Sequence, residues 1–188
     1  IVPCLLSALA HCLPYITLYG FTPVQALQLG ATPAQVGYLS SLALLCGALV
    51  ARLVARPWPG RLSPHANPRS WVVGGFLLGT AGSLGVAHAP GVGWLMVAQG
   101  AVNVGQALTQ PLLMSLCIRG VAPRLRATAM GVYQSVYALG MFGGPVLAGL
   151  LGGVGGLPAS FYTAAAAGLA GCLAAWRLLR TQTPGSSG

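Results

Sequence analysis

The chain has 188 residues, of which 55% are hydrophobic and 5% charged, and it contains no aspartate or glutamate. Soluble domains carry about 25% charged residues, so a soluble fold is excluded, and so is chemistry that this chain alone would run on carboxylates: magnesium sites, di-metal centres and paired-acid hydrolysis. The net charge of +9 comes entirely from arginine. These arginines gather at the ends of apolar stretches and do not interleave with aromatics along a face, which argues against a nucleic-acid partner and for a lipid bilayer.

Six apolar stretches follow one another, at about 1–29, 34–54, 70–88, 93–118, 127–151 and 159–176. Each is near or above the roughly 20 residues that a helix needs to cross a bilayer. The expected fold is therefore an all-α integral membrane bundle of six transmembrane helices over 1–180, with a polar, disordered tail at 181–188. The nine arginines fall between Arg52 and Arg69, between Arg119 and Arg126, or at Arg177 and Arg180, while the alternate connections carry none. An excess of arginine marks the cytoplasmic side, so both termini are expected there.

In chain order, the first stretch lacks a basic leader region and a clean cleavage signal, and reads as a permanent helix. Its polar residues Ser7, His11, Tyr15, Thr22 and Gln25 lie near one face, with Pro14 able to distort the helix beside His11. His11 is the one histidine expected near mid-membrane, where it serves either as a proton relay or as a satisfied hydrogen-bonding residue. The second stretch opens with Thr32-Pro33-Ala34-Gln35, a capping-box pattern. Between the second and third stretches, Pro57, Pro59, Pro64 and Pro68 predict an irregular loop. In the third, Gly75 and Gly79 read as helix packing. Ser83 and His88 lack the G-x-S-x-G setting of a serine nucleophile, which leaves an intramembrane protease without support. The five cysteines are scattered and read as small packing residues.

The fourth stretch carries Gln99, Asn103, Gln106 and Gln110, spaced by four, three and four residues and hence on one helical face. Amides are costly in hydrocarbon, so this stripe is expected to face protein or a water-filled cavity. Two readings stand: staples between helices, or the lining of a binding cavity together with His11, Tyr15 and, on the fifth stretch, Gln134. The fifth stretch also presents Gly131, Gly140, Gly144-Pro145 and Gly149, a smooth ridge beside a proline kink. The run Gly152–Pro158 reads as a short outer loop.

This glycine-proline run resembles the antiporter motif of the major facilitator superfamily, G-x(8)-G-x(3)-G-P-x(2)-G-G, with Ala148 in place of one glycine. The segment Arg126–Gly131 is similar to that family's entry to the fifth helix of a half. Ala51–Arg56 is similar to its G-R-L-A-D-R signature, with alanines at the glycine and aspartate positions. The resemblance implies two inverted three-helix repeats forming one six-helix half of a twelve-helix carrier in the cell (inner) membrane, with the first and fourth helices lining the substrate path. The lost aspartate, the lack of an arginine before Gly100, the absent initial methionine and the polar tail point to the C-terminal half. What the resemblance implies is a small-molecule carrier, with proton-coupled efflux as the first reading and uncoupled facilitation or uptake as the alternative. In it Gly131, Gly140, Gly144, Pro145 and Gly149 serve conformational change, Arg52, Arg56 and Arg126 serve topology and gating, and no cofactor is needed. A self-associating six-span channel or scaffold is the alternative from a different class.

Overall fold

The computed structural model describes residues 1–56 and 67–179, and these are almost wholly helical. Six helices are long and apolar enough to cross a membrane: Val2–Gln28, Pro33–Val54, Pro68–Ala87, Val92–Ile118, Pro123–Gly155 and Leu157–Leu178, termed spans 1 to 6. Helices dominate because hydrocarbon offers the backbone no hydrogen-bond partners, so each segment must satisfy its own amides. Of the loop prolines, Pro57, Pro59 and Pro64 lie outside the described residues, as does the 181–188 tail. Pro68 instead starts span 3, where its missing N–H is no loss.

The capping box forms as the sequence suggests, with Gln35 N donating to Thr32 Oγ1 at 3.3 Å and Thr32 N donating to Gln35 Oε1 at 2.8 Å. The expected loop at Gly152–Pro158 shrinks to one residue. Span 5 runs helically through Gly155, Gly156 turns the chain at φ +76°, and span 6 begins at Leu157. A glycine costs a helix about 1 kcal/mol in water, yet in lipid an unwound glycine run would leave its carbonyls unsatisfied, so the helix continues. Span 1 is interrupted by a π-turn at Thr17–Phe21, between α-helical parts Val2–Ile16 and Thr22–Gln28. Pro14 removes a backbone donor just before it. A Cβ at Gly20 would lie 2.9 Å from the Tyr15 carbonyl oxygen, so this turn needs a residue without a side chain.

Span 1 packs on spans 4, 5 and 6, span 3 on spans 4 and 6, span 2 on span 4, and span 5 on span 6. Exchanging 1 for 4, 2 for 5 and 3 for 6 turns the 1–5 pairing into 4–2 and the 3–4 pairing into 6–1. It leaves 1–4 and 3–6 unchanged. The 5–6 pairing alone has no comparably extensive counterpart among the described residues. Because each repeat holds an odd number of spans, the second is inverted relative to the first, and the adjacency is that of two inverted three-helix repeats.

One buried cluster, with Leu6, Phe76, Leu112 and Tyr133, fills the end that carries the arginines, and a second, with Leu18, Leu39, Leu95 and Phe161, fills the other. Outward-facing Leu45 and Leu49 on span 2 and Leu139, Phe142 and Leu150 on span 5 stay exposed, as suits a lipid-facing surface. At the arginine end, the Arg69 guanidinium lies 3.9 Å from the centre of the Trp176 ring, tying the start of span 3 to the end of span 6.

The closest helix approaches run through glycine. A Cβ built on Gly140 would fall on the Ala8 carbonyl, and one on Gly144 would lie 3.1 Å from Cys12 Cα. Likewise a Cβ on Gly75 would sit 2.7 Å from the Gly105 carbonyl oxygen. Backbone cannot yield as a flexible side chain does, so Gly140→Val is expected to destabilise the bundle by about 1–3 kcal/mol or more. Gly143→Ala, where nothing lies within 4 Å, should be silent. Melting in detergent, followed by loss of monodisperse protein, checks the pair.

Candidate functional site

Spans 1 and 4 run antiparallel in a fixed register. At one end the Cys4 and Cys117 sulfurs are 3.8 Å apart, and toward the other end Thr22 meets Gln99. Between these contacts the two polar stripes face each other across a cavity of about 240 Å³. His11, Tyr15, Asn103, Gln106 and Gln110 all line it, joined by Tyr19 and Tyr137. Typical small-molecule sites enclose about 300–1,000 Å³, so this volume suits one wall of a site more than a complete enclosure.

His11 is buried, and its Nδ1 lies 2.7 Å from the Ser7 carbonyl oxygen. A carbonyl only accepts, so Nδ1 carries the hydrogen and donates. The imidazole stacks on Tyr137, with ring centroids 4.3 Å apart and planes 16° from parallel. Tyr133 meets Tyr137 edge-on at 5.8 Å, and Tyr15 meets Tyr19 at 5.0 Å. An aromatic row thus crosses from span 1 to span 5 through His11. On span 4, Gln106 Nε2 donates to Gln110 Oε1 at 3.3 Å, and Asn103 Nδ2 donates to the Gln99 carbonyl at 3.0 Å. Gln106 Oε1 is buried without a protein partner. Gly47 of span 2 closes on the Asn103 backbone, where a Cβ would be 3.5 Å from the Asn103 carbonyl oxygen.

The four amides of the stripe thus divide between the two readings given by the sequence. Gln99 is fully buried and lies outside the cavity lining. Its Nε2 donates to Thr17 Oγ1 at 3.2 Å, and its Oε1 accepts from Thr22 Oγ1 at 3.0 Å. Thr17 opens the π-turn and Thr22 follows it, so one amide clasps both ends of the irregular segment. Gln134 sits three residues before Tyr137 on the same helical stripe, but it is exposed and outside the cavity. Gly131 is also exposed, with open space where a side chain would go, and Gly149 faces Phe21 with a Cβ distance of 3.7 Å. Arg52, Arg56 and Arg126 are exposed at the arginine end, and Arg126 Nε donates to the Val121 carbonyl at 3.2 Å. Ser83 Oγ donates to the Gly79 carbonyl and His88 pairs with the Tyr162 hydroxyl, so those two side chains are engaged elsewhere.

Tyr137, Tyr19 and Met141 were not singled out from sequence. The signal available for Tyr137 was its four-residue spacing from Tyr133, facing the polar stripe of another span.

The model of the Major Facilitator Superfamily matches residues 4–188. The chain belongs to this superfamily. No curated protein matches it. As a major facilitator it is a multi-pass membrane protein and a transporter, and the polar lining of its cavity comes from the spans that carry buried amides and histidine, with Tyr137 added by span 5.

The division of the stripe is testable by cysteine scanning in a variant whose five native cysteines are replaced. Cysteine at Gln106 is expected to react with a polar thiol reagent and cysteine at Gln99 to stay protected. Gln99→Leu should lower stability by about 1–2 kcal/mol through the two lost interhelical bonds, seen as a lower melting temperature.

Proposed function

We propose that these six spans are the C-terminal half of a twelve-span carrier in the cell (inner) membrane, which exports a neutral or amphipathic small molecule by alternating access. The observation that carries this reading is the cavity between spans 1 and 4, where three amides, His11 and three tyrosines converge. Its walls hold no formal charge, and the chain has no carboxylate to add one. Uncharged donors and acceptors beside aromatic faces suit a ligand that is partly apolar and hydrogen-bonding.

In this reading a second six-span bundle completes the site, and rocking of one bundle against the other exposes it to each side in turn. The glycine ridge of Gly140 and Gly144 lets span 5 slide on span 1 without interlocking side chains. Pro145 provides the bend. The gathering of Arg52, Arg56 and Arg126 at one end supports a cytoplasmic position for that end and for both termini. Exchange for protons would engage His11, the titratable histidine in the cavity wall.

Transport by the full-length protein in proteoliposomes tests the reading. Gln110→Leu is expected to reduce kcat/KM for a transported neutral dye about tenfold, the effect of losing one buried hydrogen bond, while leaving the melting temperature within a few degrees. Unchanged transport would remove the cavity from the pathway. With an imposed pH gradient, uphill transport is expected to fail in His11→Ala while downhill transport persists. Uphill transport that survives the substitution removes the histidine relay and favours coupling elsewhere. Wild-type protein that equilibrates the dye without responding to pH is an uncoupled facilitator.

A further inference from the structure

A second cavity, of about 360 Å³, opens at the arginine end between the start of span 3, the end of span 4 and the start of span 5. We propose that it binds the phosphate of an anionic phospholipid. Pro68, Leu112, Ser115, Leu116, Arg119 and Arg126 line it, and none of the polar-stripe residues takes part.

Charge is the first argument. Both guanidiniums are exposed, and no side chain of this sequence can neutralise them, because it contains neither aspartate nor glutamate. Their counter-charge must come from outside the chain. Arg126 is also oriented: the bond from its Nε to the Val121 carbonyl fixes the side chain and leaves its terminal nitrogens free to donate. Arg119 projects from the residue that caps span 4, where its charge offsets the carbonyl end of that helix. Span 3 begins at this cavity, and its Asn67 cap makes no side-chain hydrogen bond. This helix start adds positive potential beside the two arginines.

Shape selects the source of the anion. Beside the arginines the wall is apolar, with Leu112 buried at its back and Leu116 and Ile118 partly exposed. A free phosphate gains nothing from that wall. A phospholipid places its phosphate between the guanidiniums, which bind such oxygens in a forked geometry, and its first acyl carbons on the leucines.

Native mass spectrometry of the full-length protein, delipidated and titrated with phosphatidylglycerol or phosphatidylcholine, tests this. Phosphatidylglycerol is expected to bind at least about tenfold more tightly than phosphatidylcholine. The double variant Arg119→Gln/Arg126→Gln should lose that preference, and Arg52→Gln/Arg56→Gln should keep it. The charge-preserving Arg119→Lys/Arg126→Lys should retain part of it, which guards against misfolding of the neutral variant. Equal binding of the two lipids overturns the proposal, as does a preference that persists in the neutral double variant. Inorganic phosphate that displaces the lipid and raises the melting temperature equally on its own would make this a simple ion site and overturn the lipid assignment. A carboxylate from another part of the protein occupying the cavity would appear as no lipid preference in the wild type.

Discussion

The bundle depends on how closely helix backbones approach where no water is available to drive them together. In lipid the attraction between spans rests on dispersion and short polar contacts, and both need small residues at the crossing. Two crossings meet this demand most tightly, Gly140 and Gly144 on Ala8 and Cys12, and Gly75 on Gly105. The first holds span 5 to span 1 and the second holds span 3 to span 4. Both stripe-bearing spans are thus held by backbone contact, span 4 at Gly105, on the side away from its amides, and span 1 at Ala8 and Cys12, beside His11 and Tyr15.

Those polar faces carry different duties along their length. Near the middle, amides and His11 border open space. Toward the end away from the arginines, Gln99 is sealed between Thr17 and Thr22. The π-turn that these threonines flank widens span 1 one turn after Pro14. Gln99 holds the turn through the hydroxyls at its two ends, donating to Thr17 and accepting from Thr22. The clasp therefore joins a local irregularity in span 1 to the N-terminal part of span 4. A change in the tilt of either span would strain it.

How far the fold was legible in the sequence follows from the range of each interaction. Span number and the Thr32–Gln35 cap are local or periodic, and they could be read directly. The amide stripe was visible for the same reason, since 4-3-4 spacing is set by helix geometry alone. Its division into clasp and cavity wall was not, because that depends on where span 1 lies relative to span 4. The stacking of Tyr137 on His11 and the approach of Cys4 to Cys117 join residues more than a hundred positions apart, and no periodicity reports them. The Gly152–Pro158 run misled for a physical reason: glycine punctuates chains in water, whereas in lipid the backbone has more to lose by leaving the helix.

The absence of carboxylates shapes the chemistry at both ends of the molecule. Inside, the cavity wall can offer hydrogen bonds, aromatic faces and one imidazole, but no fixed charge. At the arginine end, seven described arginines stand without any acidic side chain in the sequence to pair with. With Ala55 at the aspartate position of the signature after span 2, that segment supplies no balancing charge. With no carboxylate side chain in the sequence, the charges of the arginine end are left to be balanced by what surrounds the chain.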